Sequence, residues 1–194
     1  MLSLKKKTLV GVAALAIVLS GFSAPALADT GDSPEGIQQR LREIGNSYTV
    51  GQELNAEDAE FIRAHAIDTS EVSPRTVTSG TFRKSGSGAG ATGNITGDWR
   101  LSIGPGLTNS YSFNLNSQGS STVRSIRTCG EIRAYGLAGS GGVGLVFSDN
   151  PCQTVNGRNA SMRASRNYSA LASYATIWGG STFTTPTGSF QVAG

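Results

Sequence analysis

Histidine and acidic residues are scarce where catalysis would need them. The 194-residue sequence has one histidine, His65, whereas a Ser-His-Asp hydrolase, a histidine-ligated metal centre and most general-base schemes near neutral pH need an imidazole. After residue 78 the acids are Asp98, Glu131 and Asp149. A glycosidase built on Asp98 and Glu131 stays formally open, but ion pairing with the neighbouring arginines is the favoured interpretation. We therefore expect a protein that is not an enzyme and that uses no metal or cofactor.

Cysteine is also rare, since Cys129 and Cys152 are the two in the chain. Two cysteines alone do not make a zinc site, and a catalytic thiolate has no histidine beyond His65 to activate it. In an exported protein such a pair predicts a disulfide. The chain-entropy model gives a bridge over a loop of this length a stabilisation of about 3 kcal/mol.

Apolar runs long enough to span a membrane are missing. The run from Leu9 to Leu19 is too short for a permanent anchor. It follows Lys5, Lys6 and Lys7 and precedes a small-x-small site at Ala26 and Ala28, which is the pattern of a secretory signal peptide. The alternative is an N-terminal core helix. We expect residues 1–28 to be removed by cleavage after Ala28 and the product to be secreted.

Each part of the remaining chain is poor in charge of one sign. Residues 29–78 hold ten acidic and four basic side chains, whereas residues 79–194 hold nine basic and three acidic ones. The acidic part contains two helix starts, one at Asp32-Ser33-Pro34-Glu35 and one capped by Asn55, and Gly45-Asn46 is expected to end the first helix. We interpret residues 29–78 as an acidic helical propeptide. The alternative is a helical subdomain that stays attached.

Residues 98–194 favour strands. Apolar and polar residues alternate in short runs, as in Trp99-Leu101-Ile103 and Tyr111-Phe113-Leu115. Turn signals separate these runs, which predicts a mainly β fold: a small antiparallel sandwich or barrel preceded by a short α-helical N-terminal segment. Further strands are expected near residues 122–128, 131–137, 143–148, 160–168, 171–178, 181–184 and 189–193.

Glycine is frequent after residue 78, with twenty of the 26 glycines. We interpret residues 79–97 as a flexible Gly/Ser-rich stretch and Gly179-Gly180 as a turn. For residues 168–178 a helix is the alternative to a strand. Matches to G-x-G-x-x-G at 88–93 and 139–144 lack the preceding strand and following helix of a dinucleotide site, so the first is interpreted as flexible and the second as a hairpin turn.

The opposite charges of the two parts lead to the hypothesis that proteolysis releases the β-domain from the helical segment. Cleavage at Arg75 or Lys84 would free a cationic β-domain from acidic helices that cover it through charge attraction. Trp99 and Trp178 are the candidate aromatic contacts. The arginines expected to form a cationic binding face are Arg100, Arg124, Arg127, Arg133, Arg158, Arg163 and Arg166.

Two functions fit this layout. The first is a bacteriocin-like antimicrobial that a processing protease activates and that acts on anionic cell-envelope polymers or a membrane surface. The alternative is a secreted module that binds cell-wall glycan or another surface, with the helical segment retained and the arginines on teichoic-type phosphates. Export makes nucleic acid an unexpected partner for either one.

Overall fold

The computed structural model describes residues 33–69, 76–103 and 108–194. The expected signal peptide, its cleavage site after Ala28 and the candidate cleavage site Arg75 lie outside these ranges. Within them the chain forms α1 (Pro34–Ser47), α2 (Ala56–His65), β1 (Ile67–Asp68), β2 (Thr76–Gly88), β3 (Ala91–Ile103), β4 (Thr108–Gly119), β5 (Ser125–Ala138), β6 (Gly142–Asp149), β7 (Cys152–Asn156), β8 (Asn159–Ser169), β9 (Ala172–Thr185) and β10 (Gly188–Ala193).

Two antiparallel sheets pack as a sandwich. The four-stranded sheet has the order β2-β3-β4-β8. The six-stranded sheet has the order β1-β9-β5-β6, with β10 also paired to β9 and β7 also paired to β5. The predicted fold class is thus confirmed: an antiparallel sandwich preceded by a short helical segment.

The main core lies between the two sheets and follows the predicted alternation. Leu101, Ile103, Tyr111, Phe113 and Leu115 all belong to it, as the period-two pattern of their strands indicates. The inner face of the six-stranded sheet supplies the opposing layer, which includes Ile126, Ile132, Ala175 and Phe183.

The predicted disulfide is confirmed. Cys129 on β5 and Cys152 on β7 are directly paired across the two strands and form a disulfide bond. The bridge fixes the short strand β7 to the long strand β5.

The expectation of a flexible stretch at 79–97 differs from the structure, which places these residues in a long hairpin of β2 and β3. The register runs from Thr76 opposite Ile103 to Gly88 opposite Ala91. The turn residues Ala89 and Gly90 have φ of 49° and 70°, which suits the tight turn of a twisted hairpin. The first G-x-G-x-x-G match is therefore hairpin, and the second also lies at a hairpin, between β5 and β6.

Glycines in these strands make room for aromatic rings. A Cβ on Gly80 would lie 2.7 Å from the Trp99 ring, and one on Gly93 would lie 2.7 Å from the Phe183 ring. The Gly179-Gly180 pair, expected to be a turn, lies inside β9 for the same reason, because a Cβ on Gly180 would lie 2.3 Å from the Trp178 ring.

Two strands are longer than the sequence indicated. The runs 122–128 and 131–137 belong largely to one strand, β5, and the runs 171–178 and 181–184 belong largely to β9. The helical alternative for 168–178 is not realised, since these residues lie in the end of β8, a short connection and β9.

Three hydroxyls form a buried cluster between the sheets. Ser117 comes from the four-stranded sheet, and Thr128 and Ser181 come from the six-stranded sheet. The Ser117 Oγ lies 2.9 Å from Thr128 Oγ1 and 2.6 Å from Ser181 Oγ, and Ser181 Oγ lies 3.0 Å from Thr128 Oγ1. Because a buried hydroxyl is costly without a partner, this triangle favours one alignment of the two sheets.

Tyr168 carries a prediction about alkaline stability. Its ring stacks on Phe147 with centroids 4.0 Å apart, and its buried hydroxyl has no hydrogen-bond partner among the residues that the structure describes. Burial raises the pKa of Tyr168 above its ordinary value of 10.0. The folded state therefore holds this proton more tightly than the unfolded chain does, so its contribution is complete below pH 10 and declines as the pH rises further.

The Tyr168→Phe variant is expected to keep or gain up to about 1 kcal/mol at neutral pH, because an unpaired buried hydroxyl is removed. It is also expected to lose less stability than the parent between about pH 9 and 11. Urea unfolding at several pH values measures both effects. A parallel decline in parent and variant would contradict the assignment to Tyr168.

Candidate binding surfaces

The first helix begins as predicted and runs further than predicted. Ser33 Oγ accepts a hydrogen bond from the Gly36 N–H at 3.0 Å, and Pro34 occupies the first turn. Gly45-Asn46, expected to end the helix, instead lies within α1 against Arg133. A Cβ on Gly45 would lie 1.6 Å from Arg133 Nη1. This glycine therefore permits close packing of helix on sheet.

Arg133 joins α1 to the six-stranded sheet. Its Nη1 donates to the Arg42 carbonyl oxygen at 3.0 Å, and its Nη2 donates to Asn46 Oδ1 at 2.6 Å. It also forms an ion pair with Glu131, and both side chains are about nine-tenths buried. The arginine is thus held by a backbone carbonyl, an amide and a carboxylate from its own strand.

The second helix also begins at its predicted cap. Asn55 Oδ1 accepts from the Asp58 N–H at 2.8 Å. The Asp58 carboxylate in turn accepts from Arg40 Nη2 at 2.7 Å and from the Tyr48 hydroxyl at 2.7 Å. This network connects the two helices. The Asp58 carboxylate is paired with an arginine of the helical segment and not with a strand arginine.

Apolar packing holds the helical segment on the outer face of the six-stranded sheet. Ile44 and Ile62 are fully or almost fully buried, at 1% and 0% exposure. They belong to a cluster with the buried sheet residues Tyr135 and Leu145. Burial raises the pKa of Tyr135, which is consistent with a dry contact. The other buried members of this helix-sheet cluster are Leu41, Leu54 and Ala59.

The same segment lies along two sheet edges. Beside β6, the Leu54 N–H donates to the Val143 carbonyl oxygen at 2.9 Å and the Leu145 N–H donates to the Gln52 carbonyl oxygen at 3.1 Å. Beside β9, β1 places Ile67 opposite Ala175. Residues 33–69 therefore cover one face and pair with both edges of this half of the sheet.

Ion pairs do not hold the helical segment on the six-stranded sheet. In the described ranges, Arg40 pairs with Glu57 and Asp58 inside the helical segment. The sheet arginines Arg133 and Arg166 pair with the sheet acids Glu131 and Asp149. No ion pair of these ranges joins a helix acid to a strand arginine.

The seven arginines expected on one cationic face are distributed over the molecule. Arg100 and Arg163 lie on the outer face of the four-stranded sheet, whereas Arg127 and Arg133 lie on that of the six-stranded sheet. The remaining three, which are exposed, lie just before β5, just before β8 and on β8 itself: Arg124, Arg158 and Arg166. Strand register, which the sequence pattern leaves open, separates them.

The other candidate residues are also separated. Trp99 is partly buried and packs against the main core, while Trp178 lies on the outer side of β9 near α1. Asp98 and Glu131 lie on outer faces of different sheets, so they form no glycosidase pair. Lys84 lies inside β2 opposite Ile95, where cleavage would cut a paired strand.

Sequence reasoning missed the outer face of the four-stranded sheet, which we call the polar face. Successive rungs across β2, β3, β4 and β8 hold side chains that are hydroxyl-bearing, amide-bearing or charged, in a regular grid. The signal was present as the polar half of each alternating run. Its members are Ser79, Thr81, Arg83, Ser85, Asn94, Thr96, Asp98, Arg100, Ser112, Asn114, Asn116, Gln118, Asn159, Ser161, Arg163 and Ser165.

Two shallow grooves run over the polar face. One of about 600 Å³ lies along Ser85, Thr92, Asn94 and Gln118. The other, of about 430 Å³, lies along Asn94, Thr96, Asn116 and Ser161. The Asp98 carboxylate accepts from Asn114 Nδ2 at 3.1 Å. The face therefore offers many donors and acceptors, three arginines and one acid.

A separate cleft, which shares no lining residue with the polar face, lies between α1 and residues of β2, β9 and β10. This α1 cleft has a volume of about 530 Å³, and Arg42, Lys84 and Trp178 are among its lining residues. The Arg42 guanidinium carbon stands 4.3 Å from the centroid of the Trp178 ring. The cleft contains side chains from both the helical segment and the strands.

Metal sites, membrane-spanning helices and related proteins give no assignment of function. Residues 33–69, 76–103 and 108–194 contain no group of three or more His, Cys, Asp or Glu placed to hold a metal ion. Their helices are too short or too polar to cross a membrane. No family model matches the sequence, and neither a curated protein nor a solved structure matches it.

Proposed function

We propose that the protein is a secreted, non-enzymatic module that binds an anionic, hydroxyl-rich surface polymer, such as a phosphate-bearing cell-wall glycan. The helical segment is retained in this proposal. The polar face is the binding surface. The observation that carries the proposal is its grid of short, mostly exposed polar side chains with Arg83, Arg100 and Arg163 among them.

The chemistry of the polar face matches such a polymer. Serine and threonine hydroxyls and asparagine and glutamine amides both donate and accept hydrogen bonds, as sugar hydroxyls require. Arginine binds phosphate through two parallel N–H donors. Charge on this face is positive in balance, since its three arginines outnumber its one acid, Asp98.

The spacing of the arginines suits a polymer that carries repeated anionic groups. Arg100 on β3 and Arg163 on β8 are two strand spacings apart, with β4 between them, and are offset by two residues along the strand. With strands about 4.8 Å apart and alternate residues about 6.8 Å apart, their Cα atoms are separated by about 12 Å. Repeated phosphates along a polymer can engage each arginine separately.

Retention of the helices supports this function over the bacteriocin-like alternative. Release of residues 33–69 would expose the helix-sheet cluster and free two sheet edges. Action on a membrane surface also has less support, because the Trp99 ring is partly buried against the core and is not free to insert fully at an interface. Antimicrobial action stays a prediction of the sequence.

The test is co-sedimentation with purified cell walls. We expect the variant R83S/R100S/R163S to bind about ten- to a hundredfold more weakly, as three exposed charge contacts of about 0.5–1 kcal/mol each predict. Wall preparations stripped of phosphate polymers by acid should show the same loss with the parent protein. Binding should also weaken with added salt.

The matched control is R124S/R127S/R158S, which removes the same charge from exposed positions away from the polar face. This control should bind walls nearly as well as the parent. Equal loss in both triple variants would show general charge attraction and overturn the polar face as the site. Unchanged binding to stripped walls would overturn the anionic polymer.

A further inference from the structure

The α1 cleft holds charges of both signs that are not paired. Arg42 and Lys84 line it together with Glu35 and Glu43. None of these four side chains takes part in an ion pair within the described ranges, where four such pairs occur. The cleft therefore holds opposite charges that do not contact each other directly.

Arg42 is held in a defined position. Its guanidinium lies over the Trp178 ring, and its carbonyl oxygen accepts from Arg133 Nη1 at 3.0 Å. A guanidinium stacked on an aromatic ring keeps the N–H donors at its edge available for a carboxylate. The Trp178 ring is itself positioned against Gly180, where a Cβ would lie 2.3 Å from it.

The carboxylates belong to α1, on the wall facing the strands. Glu43 accepts a hydrogen bond from Gln39 Nε2 at 2.9 Å, which is a neutral partner that leaves its charge uncompensated. Glu35 lies in the first turn of the same helix. Two separated cations and two separated carboxylates complement a ligand that carries one charge of each sign.

We propose that the α1 cleft is a binding site for a short zwitterionic peptide, with its carboxylate at Arg42 and Lys84 and its ammonium at the glutamates. The volume of about 530 Å³ lies in the range of small-molecule sites and accommodates a few residues. The Trp178 ring supplies apolar contact for the peptide body. This site does not depend on the proposed function, because none of its lining residues belongs to the polar face.

Calorimetric titration of the full chain with trialanine tests the site, with tryptophan fluorescence recorded in parallel. N-acetyl-trialanine lacks the ammonium, and trialanine amide lacks the carboxylate. We expect trialanine to bind at millimolar concentration or below, to change the Trp178 emission, and to bind at least tenfold more tightly than either blocked peptide. Equal binding of the three peptides, or no binding of trialanine up to ten millimolar, would overturn the proposal.

Substitutions inside and outside the α1 cleft test which side chains contact trialanine. Arg42→Gln is expected to weaken trialanine binding at least tenfold, whereas Arg63→Gln, an exposed arginine of α2 outside the cleft, should not change it. Glu43→Gln should reduce the preference for trialanine over N-acetyl-trialanine, which a merely structural role would not do. The R83S/R100S/R163S variant should bind trialanine normally, so failure of the polar face and failure of the cleft are distinguishable.

Discussion

A chain without residues 33–69 is expected to lose its cooperative fold. Leu41, Ile44, Leu54 and Ile62 are buried against the six-stranded sheet. Burial of each such side chain contributes about 1.5–3 kcal/mol, so the four together approach the 5–15 kcal/mol of a typical domain. The loss of paired edges at β6 and β9 adds to this effect.

The urea-unfolding curve and the amide NMR spectrum of the 76–194 fragment measure the loss of the cooperative fold. A smaller perturbation of the same contact, Ile62→Ala, should cost about 2–5 kcal/mol because Ile62 is fully buried. Its neighbour Arg63 is exposed, and Arg63→Ala should change stability by less than about 0.5 kcal/mol.

A cut without a deletion separates covalent linkage from packing. When a specific protease site is placed within 70–75, the two pieces should co-elute after cleavage. A 76–194 fragment that unfolds at the same urea concentration as the full chain would contradict retention and favour the propeptide interpretation.

Replacing Arg133 by alanine is expected to destabilise the fold by about 3–5 kcal/mol. The substitution leaves the buried Glu131 carboxylate without its cation and removes the donors to the Arg42 carbonyl and to Asn46. A cavity beneath Gly45 adds to the cost. The free energy of unfolding in urea reports the effect.

The double variant E131L/R133M provides the sharper comparison. Replacing both partners of a buried ion pair by apolar residues of similar volume is often neutral, so the double variant should be markedly more stable than Arg133→Ala. Arg127→Ala, an exposed arginine on the same strand, is the control and should cost less than about 0.5 kcal/mol. A double variant as unstable as Arg133→Ala would show that the cost comes from the lost hydrogen bonds to the Arg42 carbonyl and Asn46 rather than from the unpaired carboxylate.

Features set by neighbours in sequence could be predicted. The caps at Ser33 and Asn55 depend on hydrogen bonds three residues away, and both are observed. The inward positions of Leu101 and Phe113 follow from alternation along one strand. The disulfide followed from the scarcity of cysteine.

Features set by partners distant in sequence could not be predicted. Gly180 looked like a turn because the Trp178 ring that needs its space is recognisable only in the folded strand. Gly45 looked like a helix end because its partner, Arg133, is on β5. The distribution of the arginines depends on register, and a shift by one residue exchanges the faces of a strand.

The pairing of β1 with β9 has a consequence for the order in which the chain becomes structured. Ile67 pairs with Ala175, and the Thr69 hydroxyl donates to the Ser173 carbonyl across 104 residues. During synthesis the helices emerge long before the strands that receive them, so their apolar stripe has no docking partner until β5 and β6 have emerged, and β1 has none until β9 follows. Contacts this distant in sequence make folding slow, and they couple the earliest and latest parts of the described chain into one cooperative step.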